Sequence, residues 1–327
     1  MKFQGNIKRP AAIFSVLPGL LFLFFTSCIS DSYEGCDQEI YRTYTARFSI
    51  YINVEVAVDV EVGTKSDDFP VQEAVAYLFD RNGIFLESID SITADDIREG
   101  RTFPLKHQDR DSLTLVVIGN GKGNQIVSDF YEGMSREEGL ISLQKVQENI
   151  VFSPSDIFYG EKDIYFFGIY DDGADTIQQI DITRRVGNVK ITGKSLEKVY
   201  QEGLFSFAFK HKSESLDFYG HTRADNTGTN FVQYIPGVSS GQDITGQSVV
   251  STNFFNTLES CENDTLVLDI YKDNHLIDSH VLENDRIAAN KSLNVTLIGV
   301  GNGETASLRM EVSVGDWDTG VDQEIEW

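Results

Sequence analysis

The sequence predicts an all-β protein made of two β-sandwich domains in tandem, and three observations support this. Short segments with alternating apolar and polar residues recur after residue 45, with turn residues between them. The pattern does not alternate between strand and helix units, as an α/β fold would require. The roughly 300 residues after the N-terminal apolar run exceed what one core usually holds, so two domains are expected.

The first predicted strand covers residues 48–62. Apolar side chains occupy every second position from Phe48 to Val62, which is the period of a half-buried strand. Residues 74–79 and 84–89 form a predicted hairpin around the turn Asp80-Arg81-Asn82-Gly83. Further strands are predicted at residues 113–118, 164–170, 186–192, 205–209, 231–235, 266–271, 276–282, 293–298 and 308–314, with short helices at 95–99, within 126–147 and at 195–201.

Two similar segments indicate a repeat within the chain. Residues 112–121 (SLTLVVIGNG) and 292–301 (SLNVTLIGVG) each predict a strand that ends in a glycine turn. They are either equivalent strands of two similar domains or a chance match between two strands. The polar loop at residues 171–176 is the expected boundary, which gives an N-terminal domain at residues 45–172 and a C-terminal domain at residues 173–327.

The first 27 residues have the layout of a bacterial lipoprotein signal peptide. A basic start at residues 2–9 precedes an apolar run at residues 11–25, which is too short to span a bilayer as a helix. Cys28 directly follows a small residue and resembles a lipobox, with Phe25 in place of the usual leucine. We therefore expect an acylated Cys28 after cleavage, a tether at residues 28–44 and attachment to a membrane through the lipid. The alternative is an ordinary secretory signal followed by a chance cysteine.

Charge excludes one class of partner. Without the signal peptide the chain has 24 basic and 51 acidic residues, a formal charge of −27. A body this acidic repels nucleic acid, so no nucleic-acid partner is expected. The remaining thiols, Cys36 and Cys261, could form a disulfide in an oxidising compartment. The alternative is that each stays a separate thiol.

One hydrolase pattern is present and is not expected to be functional. Gly237-Val-Ser239-Ser-Gly241 matches a nucleophile elbow, and Asp269 with His275 or His280 follows in the required order. The segment after Ser239 is polar and broken by glycine, whereas the mechanism requires a helix there. A turn explains the motif better, so no catalytic residue, metal or cofactor is expected.

Several segments, taken in order along the chain, match the pattern of one known family. They are the lipobox with its cysteine-containing tether, and residues 75–83 (VAYLFDRNG), 113–120 (LTLVVIGN), 157–160 (IFYG), 182–191 (ITRRVGNVKI) and 310–317 (MEVSVGDW). In these features the chain resembles the FimB/Mfa-like fimbrillin anchor subunits of Bacteroidales-type bacteria. It departs from them at Cys36, which lacks the usual following proline.

This resemblance implies two transthyretin-like β-sandwich domains and outer-membrane attachment. It also implies a place at the base of a fimbrium or among its accessory subunits, with fimbrial stalk or accessory subunits as partners. It implies neither catalysis nor a cofactor. Fimbriae of this kind are built by donor-strand exchange, in which a strand of one subunit pairs with the backbone of the next.

The C-terminal tail is the candidate donor strand. Val321, Gln323, Ile325 and Trp327 fall on one face of an extended segment, while the strand at residues 48–62 would stay in place. The alternative is that the tail is an edge strand of its own domain or is disordered. The alternative function for the whole chain is a surface lipoprotein that binds glycan or protein ligands through its sandwich loops.

Overall fold

The structure is a computed structural model of the chain, and it confirms the all-β class. It describes residues 46–52, 69–106, 112–147, 149–165, 177–224, 231–235, 241–242, 248–251, 255–282, 285–301 and 303–317, without the side chains of residues 231–255. These residues belong to one compact unit, Thr45–Trp327. The expected boundary at residues 171–176 lies outside the described residues, so the division into two domains stays a prediction.

The first group of strands encloses a hydrophobic core between two sheets. The first sheet is antiparallel and has the strand order β3-β2-β5-β8. The second has the order β9-β1-β4, and it is joined to the first by only two residue pairs between β8 and β9. The core between them contains Phe48, Leu78, Leu115 and Ile182, all fully buried. The elements are β1 (Arg47–Ile52), β2 (Glu73–Asp80), β3 (Phe85–Thr93), α1 (Ala94–Arg98), β4 (Phe103–Pro104), β5 (Ser112–Gly119), β6 (Gln125–Val127), a 3-10 turn (Arg136–Glu138), β7 (Leu140–Leu143), β8 (Phe158–Tyr165) and β9 (Ile177–Arg184).

The second group repeats this arrangement. The sheet β14-β11-β18-β19 lies over β15-β16-β10-β20-β21, and β17 also pairs with β10. Phe207, Leu268, Val295 and their neighbours form the core between the two sheets. The elements are β10 (Val186–Lys194), α2 (Glu197–Tyr200), β11 (Phe205–His211), β12 (Ser213–Asp217), β13 (Thr222–Ala224), β14 (Phe231–Ile235), β15 (Gly241–Gln242), β16 (Ser248–Ser251), β17 (Phe255–Leu258), β18 (Leu266–Lys272), β19 (His275–Leu282), β20 (Lys291–Val300), a 3-10 turn (Gly303–Thr305) and β21 (Ser307–Asp316).

The pairing pattern shows which strands correspond between the two groups. β1 runs parallel to β9, and β10 runs parallel to β20, while the other pairs within these sheets are antiparallel. β18 lies between β11 and β19 as β5 lies between β2 and β8. The similar segments at residues 112–121 and 292–301 fall on β5 and β20, which hold different positions in this pattern. Of the two alternatives, the structure therefore favours a chance match between two strands.

A third sheet joins distant parts of the chain. It has the order β13-β12-β7-β6, and β12 pairs with β7 through Leu216 and Ile141. Together with Phe218 these side chains cover the outer face of β2, β5 and β8, where Phe79, Val116 and Tyr159 are buried. The β12–β13 hairpin therefore connects the second group of strands to the first.

Local sequence signals predicted several elements correctly. The β2–β3 hairpin forms at the expected turn, where the Asp80 carboxylate accepts the amides of Asn82 at 2.8 Å and Ile84 at 2.9 Å. Gly83 adopts φ +74°, a conformation that glycine permits. Both short helices near residues 95 and 195 are present as α1 and α2. The first strand is described only as Arg47–Ile52, and the rest of its predicted length lies outside the described residues.

Two predictions of local structure were wrong. Residues 126–147 contain one 3-10 turn and the strands β6 and β7 rather than a helix. Ser135 and Glu138 form a capping box that starts the turn, and the turn ends at Gly139, whose backbone is extended. The rings of Phe130 and Phe218 occupy the space that a side chain would need at Gly139. The strand expected from residue 164 begins earlier, at Phe158, and β9 was not predicted.

Candidate functional site

Most residues that the sequence singles out lie outside the part of the chain that the structure describes. Their expected roles in lipidation, disulfide formation and strand donation therefore stay predictions. These residues are Cys28, Cys36, Ser239, Val321, Gln323, Ile325 and Trp327.

Cys261 is described and its side chain is buried, and it forms no disulfide within the described part of the chain. Its amide donates to the Ser213 hydroxyl oxygen at 3.0 Å, and that hydroxyl donates to the Asp264 carboxylate at 2.8 Å. Burial raises the pKa of the Cys261 thiol, which keeps it protonated and weakly nucleophilic at neutral pH. Because Cys36 is not described, the pairing of Cys36 with Cys261 stays a prediction.

The C-terminal described strand, β21, leads toward the predicted donor tail. All ten of its residues pair antiparallel with β20. Leu308, Met310 and Val312 pack against the second core, while the Val314 side chain is 55% exposed. β21 is the last strand of its sheet among the described strands, so no described strand pairs with its outer backbone edge.

A cluster around Arg184 fixes the residue at which the tail begins. The guanidinium of Arg184 donates to both oxygens of Asp156, at 2.6 and 2.8 Å, and also to the side-chain oxygen of Asn290. Its central carbon lies 4.1 Å from the centre of the Trp317 ring and 5.1 Å from that of Phe158. Burial raises the pKa of the Asp156 carboxyl, and the bonds from Arg184 oppose this shift. We refer to Asp156, Phe158, Arg184, Asn290 and Trp317 as the tail clamp.

The tail clamp connects segments that are far apart in the sequence. Asp156 lies just before β8, Phe158 begins that strand and Arg184 ends β9. Asn290 comes just before β20, and Trp317 just after β21. Cation–π contacts of buried arginine contribute about 1–2 kcal/mol, and the bidentate carboxylate pair adds orientation. Trp317 therefore has a fixed position just before residues 318–327.

A second candidate surface for pairing with another chain, besides the edge of β21, is the edge strand β19. Leu276 and Val281 are each more than half exposed, and Ile277 is 37% exposed. β19 pairs with β18, and it is the last strand of its sheet among those described. An edge strand with exposed apolar side chains can pair with a strand from another chain.

The hydrolase pattern is not assembled by the described residues. Asp269 is fully buried, where it forms an ion pair with Lys210 and accepts the Ser279 hydroxyl at 2.7 Å. His280 is the cross-strand partner of Leu268, so its side chain lies on the face of the sheet opposite to Asp269, and it contacts Asp278 at 3.2 Å. Within the described residues, His, Cys, Asp and Glu side chains form no group of three that could hold a metal ion.

The tail clamp was not expected from the sequence, although its residues lie in motifs that the sequence analysis noted. Arg184 belongs to the segment at residues 182–191, and Trp317 ends the segment at residues 310–317. Each motif is visible locally, but only the pairing of distant strands brings the two together.

Comparison with solved structures defines the class of protein. The fold is similar to a candidate adhesin from Bacteroides ovatus, with 12% identity and a TM-score of 0.60 over 85% of this chain and 96% of that one. It is similar to the fimbrial anchor protein Mfa2 from Porphyromonas gingivalis, with 14% identity and a TM-score of 0.58 over 84% and 98%. A candidate polysaccharide-binding protein from Bacteroides thetaiotaomicron shares 14% identity at a TM-score of 0.57 over 84% and 99%. The chain thus has the fold of this group of fimbrial and adhesin-like proteins.

The family follows from the sequence itself. Residues 35–321 match the model of the fimbrillin-A associated anchor proteins Mfa1 and Mfa2, and the chain belongs to this family. This confirms the resemblance noted from the motifs. It is a family of fimbrial proteins, not of enzymes. No curated protein sequence matches the chain.

Proposed function

We propose that this chain is a lipidated anchor or accessory subunit of a cell-surface fimbrium. Lipid on Cys28 would hold it to the outer membrane, and β-strand pairing would connect it to fimbrial stalk or accessory subunits. The observation that carries the proposal is the family match over residues 35–321, because the family is one of fimbrial anchor proteins. The relative from Porphyromonas gingivalis is itself described as a fimbrial anchor protein.

The arrangement of the chain supports a mechanical role. The proposed lipid site is at the N-terminus and the proposed donor strand is at residues 321–327, so force would pass through the whole β-sandwich body. The tail clamp supports this because it fixes Trp317 to both groups of strands. A pull on residues 318–327 would then load Arg184 and Asp156 before it could separate β21 from β20. The two-sandwich division at about residue 172 and the absence of enzymatic activity are part of the same proposal.

Deletion of residues 318–327 tests the donor strand. Cells that express the truncated chain should shed fimbriae into the medium, because an added strand needs both its main-chain hydrogen bonds and the alternate side chains that fill pockets of the neighbouring subunit. The matched control replaces the same ten residues by a glycine–serine segment of equal length. That control keeps the length and removes the alternating side chains, and it should also shed fimbriae. Full retention of fimbriae with both variants would refute the donor strand.

Substitution of Cys28 by serine tests the lipid anchor separately. The unsubstituted protein should partition with the outer membrane and carry a mass increase on its N-terminal peptide from several acyl chains. Cys28→Ser should lose that mass and should no longer reach the membrane as a lipoprotein. The control is Cys36→Ser, which leaves the proposed lipid site intact and should partition like the unsubstituted protein. An unmodified Cys28 in the native protein would contradict this part of the proposal.

A further inference from the structure

The outer face of the first antiparallel sheet is only partly covered. The third sheet covers it over Phe79, Val116 and Tyr159, and this cover ends at the 3-10 turn and the β12–β13 turn. Beyond that end lies an open cavity of about 480 Å³, within the ~300–1,000 Å³ range of small-ligand sites. We refer to it as the sheet-end groove. It is lined by Arg81, Asn82, Gly83, Ser112, Leu113, Thr114, Arg136, Asp163, Tyr165 and Tyr219.

The floor of the sheet-end groove is polar and ordered. Thr114 on β5 and Asp163 on β8 are direct neighbours in the sheet, and the Thr114 hydroxyl donates to the Asp163 carboxylate at 2.7 Å. Ser112 and Tyr165 form the next pair toward the end of these strands. A carboxylate has about four acceptor positions, so Asp163 can accept further hydrogen bonds while Thr114 holds it.

Tyrosine rings lie at both ends of the groove. Tyr165 is 64% exposed at the outer end of β8. Tyr219 lies at the inner end, where the guanidinium carbon of Arg136 is 4.1 Å from the ring centre. Arg136 is held in turn by Glu161, two residues before Asp163 on β8.

The groove is preformed rather than dependent on a ligand. Its side wall is the β2–β3 turn, whose conformation is fixed by the Asp80 carboxylate. The Arg136 amide donates to the Gly83 carbonyl at 2.7 Å, which connects this turn to the 3-10 turn. A site whose walls are already ordered loses little entropy when it binds a ligand.

We propose that the sheet-end groove binds a short oligosaccharide. A sugar ring presents an apolar C–H face and an edge of hydroxyl groups, so its recognition calls for aromatic rings beside acceptors and donors. Tyr165 and Tyr219 supply the rings, Asp163 accepts hydroxyl hydrogens, and Asn82 with Arg81 supplies donors. The charges in the groove nearly balance, because Asp163 and the Glu161 partner of Arg136 offset the two arginines. Such a site would add ligand binding to the proposed anchoring role, and the proposed site does not depend on that role.

Binding of immobilised maltohexaose, cellohexaose and chitohexaose to the full mature chain tests the proposal. The expected result is saturable binding of at least one of them, with Tyr165→Ala raising the Kd about ten-fold, as expected for loss of an aromatic contact. Asp163→Asn should also weaken binding. Tyr131→Ala is the matched control, because Tyr131 is 65% exposed and lies outside the groove.

Two outcomes would overturn the proposal: no binding of any of the three sugars, or equal affinity of Tyr165→Ala and Tyr131→Ala. A thermal melt of each variant shows whether it is still folded, so that weaker sugar binding can be attributed to the groove and not to unfolding. Fimbrial retention should be unchanged in Tyr165→Ala, so failure of this site and failure of the anchor function give different results.

Discussion

The side chain of Arg136 donates its Nε hydrogen to the carbonyl oxygen of Phe218 at 2.9 Å, across 82 residues of sequence. The same guanidinium donates to the Tyr159 hydroxyl at 3.1 Å and pairs with Glu161. Arg136 is buried beneath these partners. It therefore connects the 3-10 turn, β8 and the β12–β13 turn at one point, and it holds the third sheet on the first.

Arg136→Ala should lower the free energy of unfolding by roughly 2–4 kcal/mol, because it leaves the Phe218 carbonyl and Tyr159 hydroxyl with fewer partners in a buried site. Urea unfolding of the two proteins measures the difference. Arg309→Ala is the control, since Arg309 and its partner Glu311 are both more than half exposed and such pairs contribute little. Equal destabilisation by the two substitutions would mean that Arg136 has no special structural role.

Trp317→Ala should release the start of the tail without unfolding the protein. It removes the ring that stacks on Arg184 and should cost about 1–2 kcal/mol. Hydrogen exchange should become faster at the end of β21, near Asp316, while the start of that strand stays protected. Val314→Ala serves as the control because Val314 is exposed. Unchanged exchange in Trp317→Ala would show that the tail clamp does not hold this end.

Gly160→Ala should prevent stable folding or cost more than about 2 kcal/mol. A Cβ at this position would overlap the backbone oxygen of Asp181 on β9, and the backbone of a paired strand cannot easily move aside. This explains the glycine in the segment at residues 157–160, since β8 and β9 approach each other there to close the first core. The comparison is Gly315→Ala on β21, where the nearest atom is 3.4 Å away. That variant should have unchanged stability by thermal melt.

The sequence predicted those features that depend on neighbouring residues. The turn at Gly83 and the alternation around Phe48 are local, and both are present in the structure. β9 was missed because its pattern is mostly polar and its parallel partner, β1, lies about 130 residues earlier. Arg184 and Trp317 were noted only as parts of separate motifs. Their contact depends on the registers of several strands, which no local pattern contains.

The stability of the β12–β13 turn should depend on pH through Asp217. This buried carboxylate accepts the amides of Tyr219 at 2.9 Å and His221 at 2.8 Å, and the Arg223 guanidinium at 2.7 Å. Burial alone would raise the pKa of Asp217, but these bonds outweigh it and lower the pKa below its usual 3.8. The stabilisation is therefore complete above the unfolded-state pKa and is lost as pH falls through the lower folded-state value.

Asp217→Asn should be less stable than the unsubstituted protein at pH 7 by roughly 1–3 kcal/mol. The gap should begin to narrow below about pH 4, where the carboxyl of Asp217 becomes protonated in the unfolded state, and should go on narrowing until the folded-state carboxyl is protonated too. Urea unfolding at pH 7, 5 and 3.5 measures the gap. Burial raises the pKa of Asp156 and of Glu259, so their contributions to the free energy of unfolding depend on pH in the opposite direction. Both residues are present in Asp217→Asn and in the unsubstituted protein, so their contributions cancel when the two free energies are subtracted. A gap that stays constant down to pH 3.5 would rule out this role for Asp217.

Cys261 should react slowly with a thiol reagent while the protein is folded. The test protein carries Cys28→Ser and Cys36→Ser, so that Cys261 is its one remaining cysteine. Burial shields the sulfur and raises its pKa, so little thiolate is available at pH 7.5. Modification by DTNB should be on the order of 100-fold slower than in urea, because it requires local opening around Ser213. Equal rates in buffer and urea would show that the loop before β18 is open in solution, which would make Cys261 accessible to Cys36.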